Sequence, residues 1–179
     1  MRALAEAWAR YRLGGIHLVS ALIPKLAKSQ LVPVLRRYGA TIGEECDLWP
    51  GLVVHNAVGD FSHLRLGDRV HLGPQCFLDL RAGITIGSEA TISMRTTILT
   101  HSDPGASPVA RLGFPPAAEA VTIGPGAYLG AGCTVLMGAR IGMRAVVGAA
   151  ALVRGAIPEE TVAVGAPARV IRHLRRPEP

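Results

Sequence analysis

A chain of 179 residues is long enough for one domain with a true core and too short for two ordinary ones. It is 49% hydrophobic but only 4% aromatic, with 21 glycines, so its interior has to be filled by Ala, Val, Leu and Ile rather than by rings. The formal charge of +6 lies at one end: through Tyr38, Arg2, Arg10, Arg12, Lys25, Lys28, Arg36 and Arg37 face a single acid, Glu6. The neutral remainder, poor in aromatics for base stacking, argues against nucleic acid.

The first segment, 1–38, carries helix-like spacing in Leu4, Trp8 and Tyr11, then Ile16, Val19 and Ile23, then Leu31 and Leu35, interrupted by Gly14-Gly15, Pro24 and Pro33. Two or three short helices are expected, with the duty of capping whatever follows. The apolar run Leu13 to Pro24 is broken by His17 and Ser20 and falls short of the roughly 20 residues a membrane span needs. It also lacks a small-residue cleavage site, so a cytoplasmic location is expected. Basic residues beside apolar ones equally fit peripheral contact of 1–38 with an anionic membrane surface on its inner face.

From residue 39 to 165 an aliphatic residue, often followed by Gly, recurs every six positions. The first block is Ile42, Leu48, Val54, Asp60, Leu66, Leu72 and Leu78, with only Asp60 breaking the rule; after a two-residue slip near Leu80–Gly83 come Ile86, Ile92 and Ile98. A third block is Ile123, Leu129, Val135, Ile141, Val147 and Val153. Two residues before most of these positions stands a small side chain, as at Ala40, Ala90, Ala127, Ala139, Ala145 and Ala151. Such a pattern predicts a triangular all-β solenoid of three hexads per turn, the aliphatics inside, with Gly easing the turns through positive φ. Cys46, Cys76 and Cys133 fall on the small inward position and read as buried apolar side chains rather than disulfides, metal ligands or nucleophiles.

Between Ile98 and Ile123 the period is lost, and HSDPGASPVARLGFPPAAEA, residues 101–120, reads as a loop expelled from the solenoid. His101 stands at its mouth, where an imidazole is able to exchange protons at neutral pH. Residues 166–179 form a C-terminal tail or short helix.

The stretch VTIGPGAYLGAGCTVLMGARIGMRAVVGAAALVRGAIPEETVAVGAPARVIR, Val121 to Arg172, resembles the hexapeptide-repeat acyltransferase superfamily, especially its maltose, galactoside and xenobiotic O-acetyltransferase branch and the sugar acetyltransferases of polysaccharide assembly. The resemblance implies a left-handed coil, a homotrimer and acetyl-CoA as co-substrate, with no metal. It implies O-acetyl transfer to a hydroxyl of a sugar, glycan or glycolipid by direct attack, His101 acting as general base. An acidic residue near the register slip helps hold the acceptor in such proteins, which points to Asp79; a solvated turn former is the other reading. Asp103 is placed either to orient His101 or to cap the loop. For the coenzyme the resemblance points to Ala131 and Ala149 along the pantetheine arm and to Arg169 and Arg172 for the phosphates, where a guanidinium fork suits the oxygens. Tyr128 stands where many relatives carry Trp, and Arg154-Gly155 where they carry a hydroxyl residue with Lys. Two rivals keep the fold: a non-enzymatic scaffold, and a γ-carbonic-anhydrase-like metal site using His55, His63 and His71, whose eight-residue spacing does not match an 18-residue turn.

Overall fold

The computed structural model describes residues 2–174 and shows a left-handed parallel β-helix of six coils with a helical cap. Five coils contribute a short strand to each of three parallel faces, and the sixth to the first two. The first face stacks Thr41–Ile42, Leu64–Leu66, Ile84–Ile86, Val121–Ile123, Arg140–Ile141 and Ala156–Ile157. The second runs from Asp47–Leu48 to Thr161–Val164, and the third from Val53–His55 to Leu152–Val153. All fifteen aliphatic positions of the six-residue pattern are buried, and so are the small residues two places earlier, Cys46 alone being half-buried.

Asp60 departs from the pattern because it belongs to no hexad. Thr41 pairs with Arg65, six residues beyond a plain 18-residue turn, so Asn56–His63 is an excursion one hexad long. Phe61 anchors it, fully buried, with its N–H donating to Tyr38 O at 2.7 Å.

The glycines that directly follow many of the aliphatic residues serve close approach rather than turn conformation. A Cβ on Gly87 would lie 2.5 Å from Pro125 N, on Gly130 2.5 Å from Ala149 N, and on Gly142 2.4 Å from Glu159 N. These glycines let the next coil's backbone approach. Positive φ falls one residue before the small inward position, where Gly51, Gly126, Gly132 and Gly138 take it as expected and side chains such as Glu45, Arg69, Gln75, Glu89, Arg95 and Arg144 adopt it as well.

In the cap, α1 (Arg2–Ser20) breaks at Gly14 and Gly15, the latter at φ 65°, and is followed by a 3₁₀ turn (Ile23–Lys25) and α2 (Lys28–Arg37). Pro33 does not end α2 but lies inside it; the carbonyl it cannot serve belongs to Ser29, which is exposed and free to meet water. Leu31, Val34 and Leu35 close the open end of the solenoid together with Ile16, Val19 and Ile23. Arg36 fastens this lid, donating to Ile42 O and Gly43 O. Lys28 adds an ion pair to Asp47 at 2.5 Å.

The long loop is not structureless. His101–Ser102 pairs antiparallel with Ala117–Ala118, and a 3₁₀ turn spans Pro108–Leu112. At the C-terminus, Arg169–His173 forms a strand antiparallel to Thr161–Val164 where a tail or short helix was expected; 175–179 lie outside the described residues.

Gly87→Ala should force two coils apart and destabilise the protein by about 2 kcal/mol. Gly83→Ala, whose Cβ would meet nothing closer than 3.8 Å, should stay within about 0.5 kcal/mol of the parent in the same denaturant titration. Equal effects would refute the close-approach role.

Candidate active site

Inward residues are six apart on every passage from the first face to the second and from the second to the third. All length variation falls on the edge leading from the third face back to the first: Val54 to Leu66, Leu78 to Ile86, Ile98 to Ile123 and Val153 to Ile157 are its irregular steps. Asn56, Asp79 and His101 leave three successive coils on that edge.

They meet there. His101 Nδ1 lies 2.6 Å from Asp79 Oδ2. Asp79 is 1% exposed, yet both its oxygens are occupied: Thr100 N–H donates to Oδ2 at 2.8 Å and Asn56 Nδ2 to Oδ1 at 3.0 Å. Thr100 Oγ1 donates to Asp79 O at 2.7 Å and accepts Ala82 N–H at 2.9 Å, which ties the register slip to the loop mouth. Burial alone would raise the Asp79 pKa, but the hydrogen bonds from His101, Asn56 and Thr100 outweigh it and hold the carboxyl below its ordinary value. An ionised carboxylate only accepts, so Nδ1 carries the proton and Nε2 is left with its lone pair. Asn56 Nδ2 approaches that Nε2 at 3.4 Å.

The imidazole is partly exposed and borders a cavity of about 150 Å³ shared with Arg81, Asp103, Pro116, Ala117 and Ala118. Asp103 is not its partner: Asp103 Oδ1 accepts Gly105 N–H at 2.8 Å and caps the loop. Asn56, absent from the sequence-derived candidates, also borders a second cavity of about 320 Å³ with His17, Ser20 and His55. Its one sequence signal was its place where the hexad rule first fails.

The residues expected at the coenzyme lie elsewhere on the chain. Tyr128 stands half-exposed on the second face, and Ala131 and Ala149 stack at the edge between the second and third faces, Ala150 N–H donating to Ala131 O. Arg154 is exposed on the same edge as His101, two coils further on. Arg169 and Arg172 are exposed on the terminal strand, so no single edge gathers both His101 and Ala131.

Cys46, Cys76 and Cys133 are free thiols donating to backbone oxygens of the next coil, and burial pushes each thiol up, which removes their nucleophilicity. Among the described residues no three His, Cys, Asp or Glu side chains are grouped to hold a metal ion. His71 bonds Asp47, His63 contacts Leu80 O and His55 packs on Phe77.

Residues 120–153 match the family model described as the hexapeptide repeat of succinyl-transferase. An Escherichia coli K12 protein named as a lipopolysaccharide biosynthesis O-acetyl transferase is 37% identical over 120 residues, 64% of this chain and 56% of that protein. The chain thus spans little more than half of that relative's length. Galactoside O-acetyltransferase of Lactococcus lactis is 30% identical over 151 residues, 81% of this chain and 68% of that one. Among solved structures, a hexapeptide-repeat acetyltransferase of Vibrio cholerae, complexed with acetyl coenzyme A, aligns with a TM-score of 0.77 at 21% identity, covering 98% of this chain and 88% of that chain.

Because the folded-state pKa of Asp79 is depressed, the stability it contributes is present above the ordinary aspartate value and is lost as pH falls through the depressed one. Asp79→Asn should therefore be destabilised by about 2 kcal/mol at neutral pH. Its deficit should shrink as unfolding is followed down through acid pH, and a deficit independent of pH would show that the carboxylate is not held in its charged form.

Proposed function

Because the chain belongs to the hexapeptide-repeat acetyltransferase family, we propose that it moves an acetyl group from acetyl-CoA to a hydroxyl of a sugar, glycan or glycolipid, with His101 as general base. The observation that carries this reading is the His101–Asp79 pair, a partly exposed imidazole whose protonated Nδ1 is anchored on a buried, fully bonded carboxylate. The relatives' names supply the substrate classes: galactoside and lipopolysaccharide for the acceptor, acetyl coenzyme A for the donor.

In this mechanism Nε2 takes the acceptor's O–H proton as the oxygen attacks the thioester carbonyl carbon. The C–O bond forms, the C–S bond breaks, and Nε2 returns the proton to the departing thiolate. Asp79 is a positioning residue that fixes the tautomer and stabilises the transient imidazolium, as an oriented carboxylate does beside any catalytic histidine. Asn56 bridges Asp79 and Nε2 and yields the latter to the acceptor hydroxyl.

The division of residues between edges supports a homotrimer with composite sites. A thioester lying along Ala131 and Ala149 reaches a His101 only if that histidine comes from a neighbouring copy. Arg169 and Arg172 then serve the nucleotide phosphates, with Tyr128 and Arg154 flanking the arm.

Calorimetric titration with acetyl-CoA should show saturable binding that survives His101→Ala, while that substitution lowers turnover about a thousandfold. Arg172→Ala should weaken binding about tenfold. No binding at millimolar coenzyme would sink the transferase reading.

His101→Ala and Ala149→Trp should each be inactive alone. Co-expressed, they should recover about a quarter of the parent activity if each site draws on two copies, and none if the site is made within one chain.

A further inference from the structure

The first turns of α1 are built the wrong way round for a cap. Ala3 and Ala7 are buried in the hydrophobic core, while Leu4 is 38%, Trp8 53%, Tyr11 43% and Leu13 83% exposed. Leu4, Trp8 and Tyr11 follow one another at four- and three-residue steps and so share one helical face. The break at Gly14-Gly15 ends this segment with Leu13 at its tip, and the second half then buries Ile16 and Val19 in the ordinary way. Tyr11 rests one side on the buried Tyr38 ring, 5.3 Å between centres, and the outward sides of Leu4, Trp8 and Tyr11 are an apolar stripe surplus to the cap's own packing.

The charge around the stripe is of one sign. Glu6, the only acid before Asp47 apart from Glu44 and Glu45, is taken up by Arg10 at 3.0 Å. Arg12 lies over the Trp8 ring, 5.2 Å from its centre, and Arg37 lines the cleft that Trp8 and Tyr11 form with Tyr38 and Gly39. Among the described residues neither Arg12 nor Arg37 has an ion-pair partner. Asp60 also lines this cleft, and its carboxylate accepts Ser62 N–H at 2.9 Å.

We propose that this face of α1 docks on an anionic lipid surface, Leu4, Trp8 and Tyr11 entering the interface while Arg12 and Arg37 meet lipid phosphates. Exposed Leu side chains distinguish such a face from a glycan site, which has no use for them. Tryptophan and tyrosine prefer the boundary between headgroup and acyl chain, and an arginine stacked on the indole enters with it. Docking lies in the plane of the interface rather than across it: no helix among the described residues is long and apolar enough to span a membrane. This inference does not depend on the transferase reading.

The test is flotation of the full-length protein with vesicles of phosphatidylcholine and phosphatidylglycerol, against phosphatidylcholine alone. The parent should float with the anionic vesicles and lose binding as salt rises. Arg12→Gln and Arg37→Gln should each weaken partitioning about fivefold, from about 1 kcal/mol per cation near the surface. Trp8→Ser with Leu4→Ser should abolish it while leaving the circular dichroism and melting temperature unchanged. In a Trp49→Phe background the Trp8 emission should be quenched by lipids brominated on their acyl chains. Failure to float with anionic vesicles would overturn the proposal, as would unquenched Trp8. So would a change of oligomeric state in the Trp8→Ser, Leu4→Ser variant, which would assign the face to a second copy of the chain.

Discussion

A carboxylate with 1% exposure has to be satisfied by the protein itself, and Asp79 draws its partners from the two coils on either side of its own. Asn56 comes from the first of the three, Asp79 from the second, and the neighbours Thr100 and His101 from the third, at least 21 residues apart from coil to coil. Their meeting depends on register: one residue more or less in either intervening turn would replace an anchored imidazole by a buried, unpaired charge. The backbone contacts permitted by Gly43, Gly67, Gly73 and Gly87 are thus also conditions on the site, because they hold these coils at one spacing.

The solenoid keeps two edges regular and lets the third vary. The six-residue excursion after His55, the slip after Asp79, the loop after Thr100 and the shortened step after Val153 all interrupt the same edge. Regular edges maintain an unbroken ladder on all three faces, so the aliphatic core tolerates insertions that leave the stack and return to it at the same point. Antiparallel pairing of His101–Ser102 with Ala117–Ala118, with Glu119 N–H donating to Thr100 O, brings the longest insertion back to its starting place.

The interior was legible in the sequence because burial acts on every hexad alike: an aliphatic every six residues needs no knowledge of neighbours. What the period did not carry was anything depending on which coil touches which. Asp60 occupies a hexad-length excursion and so passed for a defective repeat. The post-aliphatic glycines were attributed to turn conformation, whereas they answer to backbone atoms a full coil away. Asp79 was found as a candidate through the slip beside it, but its bonding to His101 rather than to solvent required the register. Asn56 left almost no signal, since only the length of the excursion brings it opposite Asp79. In α1 the spacing of Leu4, Trp8 and Tyr11 identified a helix correctly while leaving open which residues turn inward, and it is Ala3 and Ala7 that are buried.

The regular and irregular edges also suit different partners under the proposed chemistry. A coenzyme arm is the same molecule at every turnover, and a stack of identical corners such as Ala131 and Ala149 offers it evenly spaced backbone groups without bulky side chains. An acceptor differs between members of a family, and the edge that carries Asn56, Arg81 and the expelled loop is where insertions change shape without disturbing the core. His101 stands where that variable edge begins, and its anchor lies in the invariant interior. The imidazole thus keeps its orientation while the surface around it is free to change, which is the physical condition for one proton-transfer device to serve many hydroxyl acceptors.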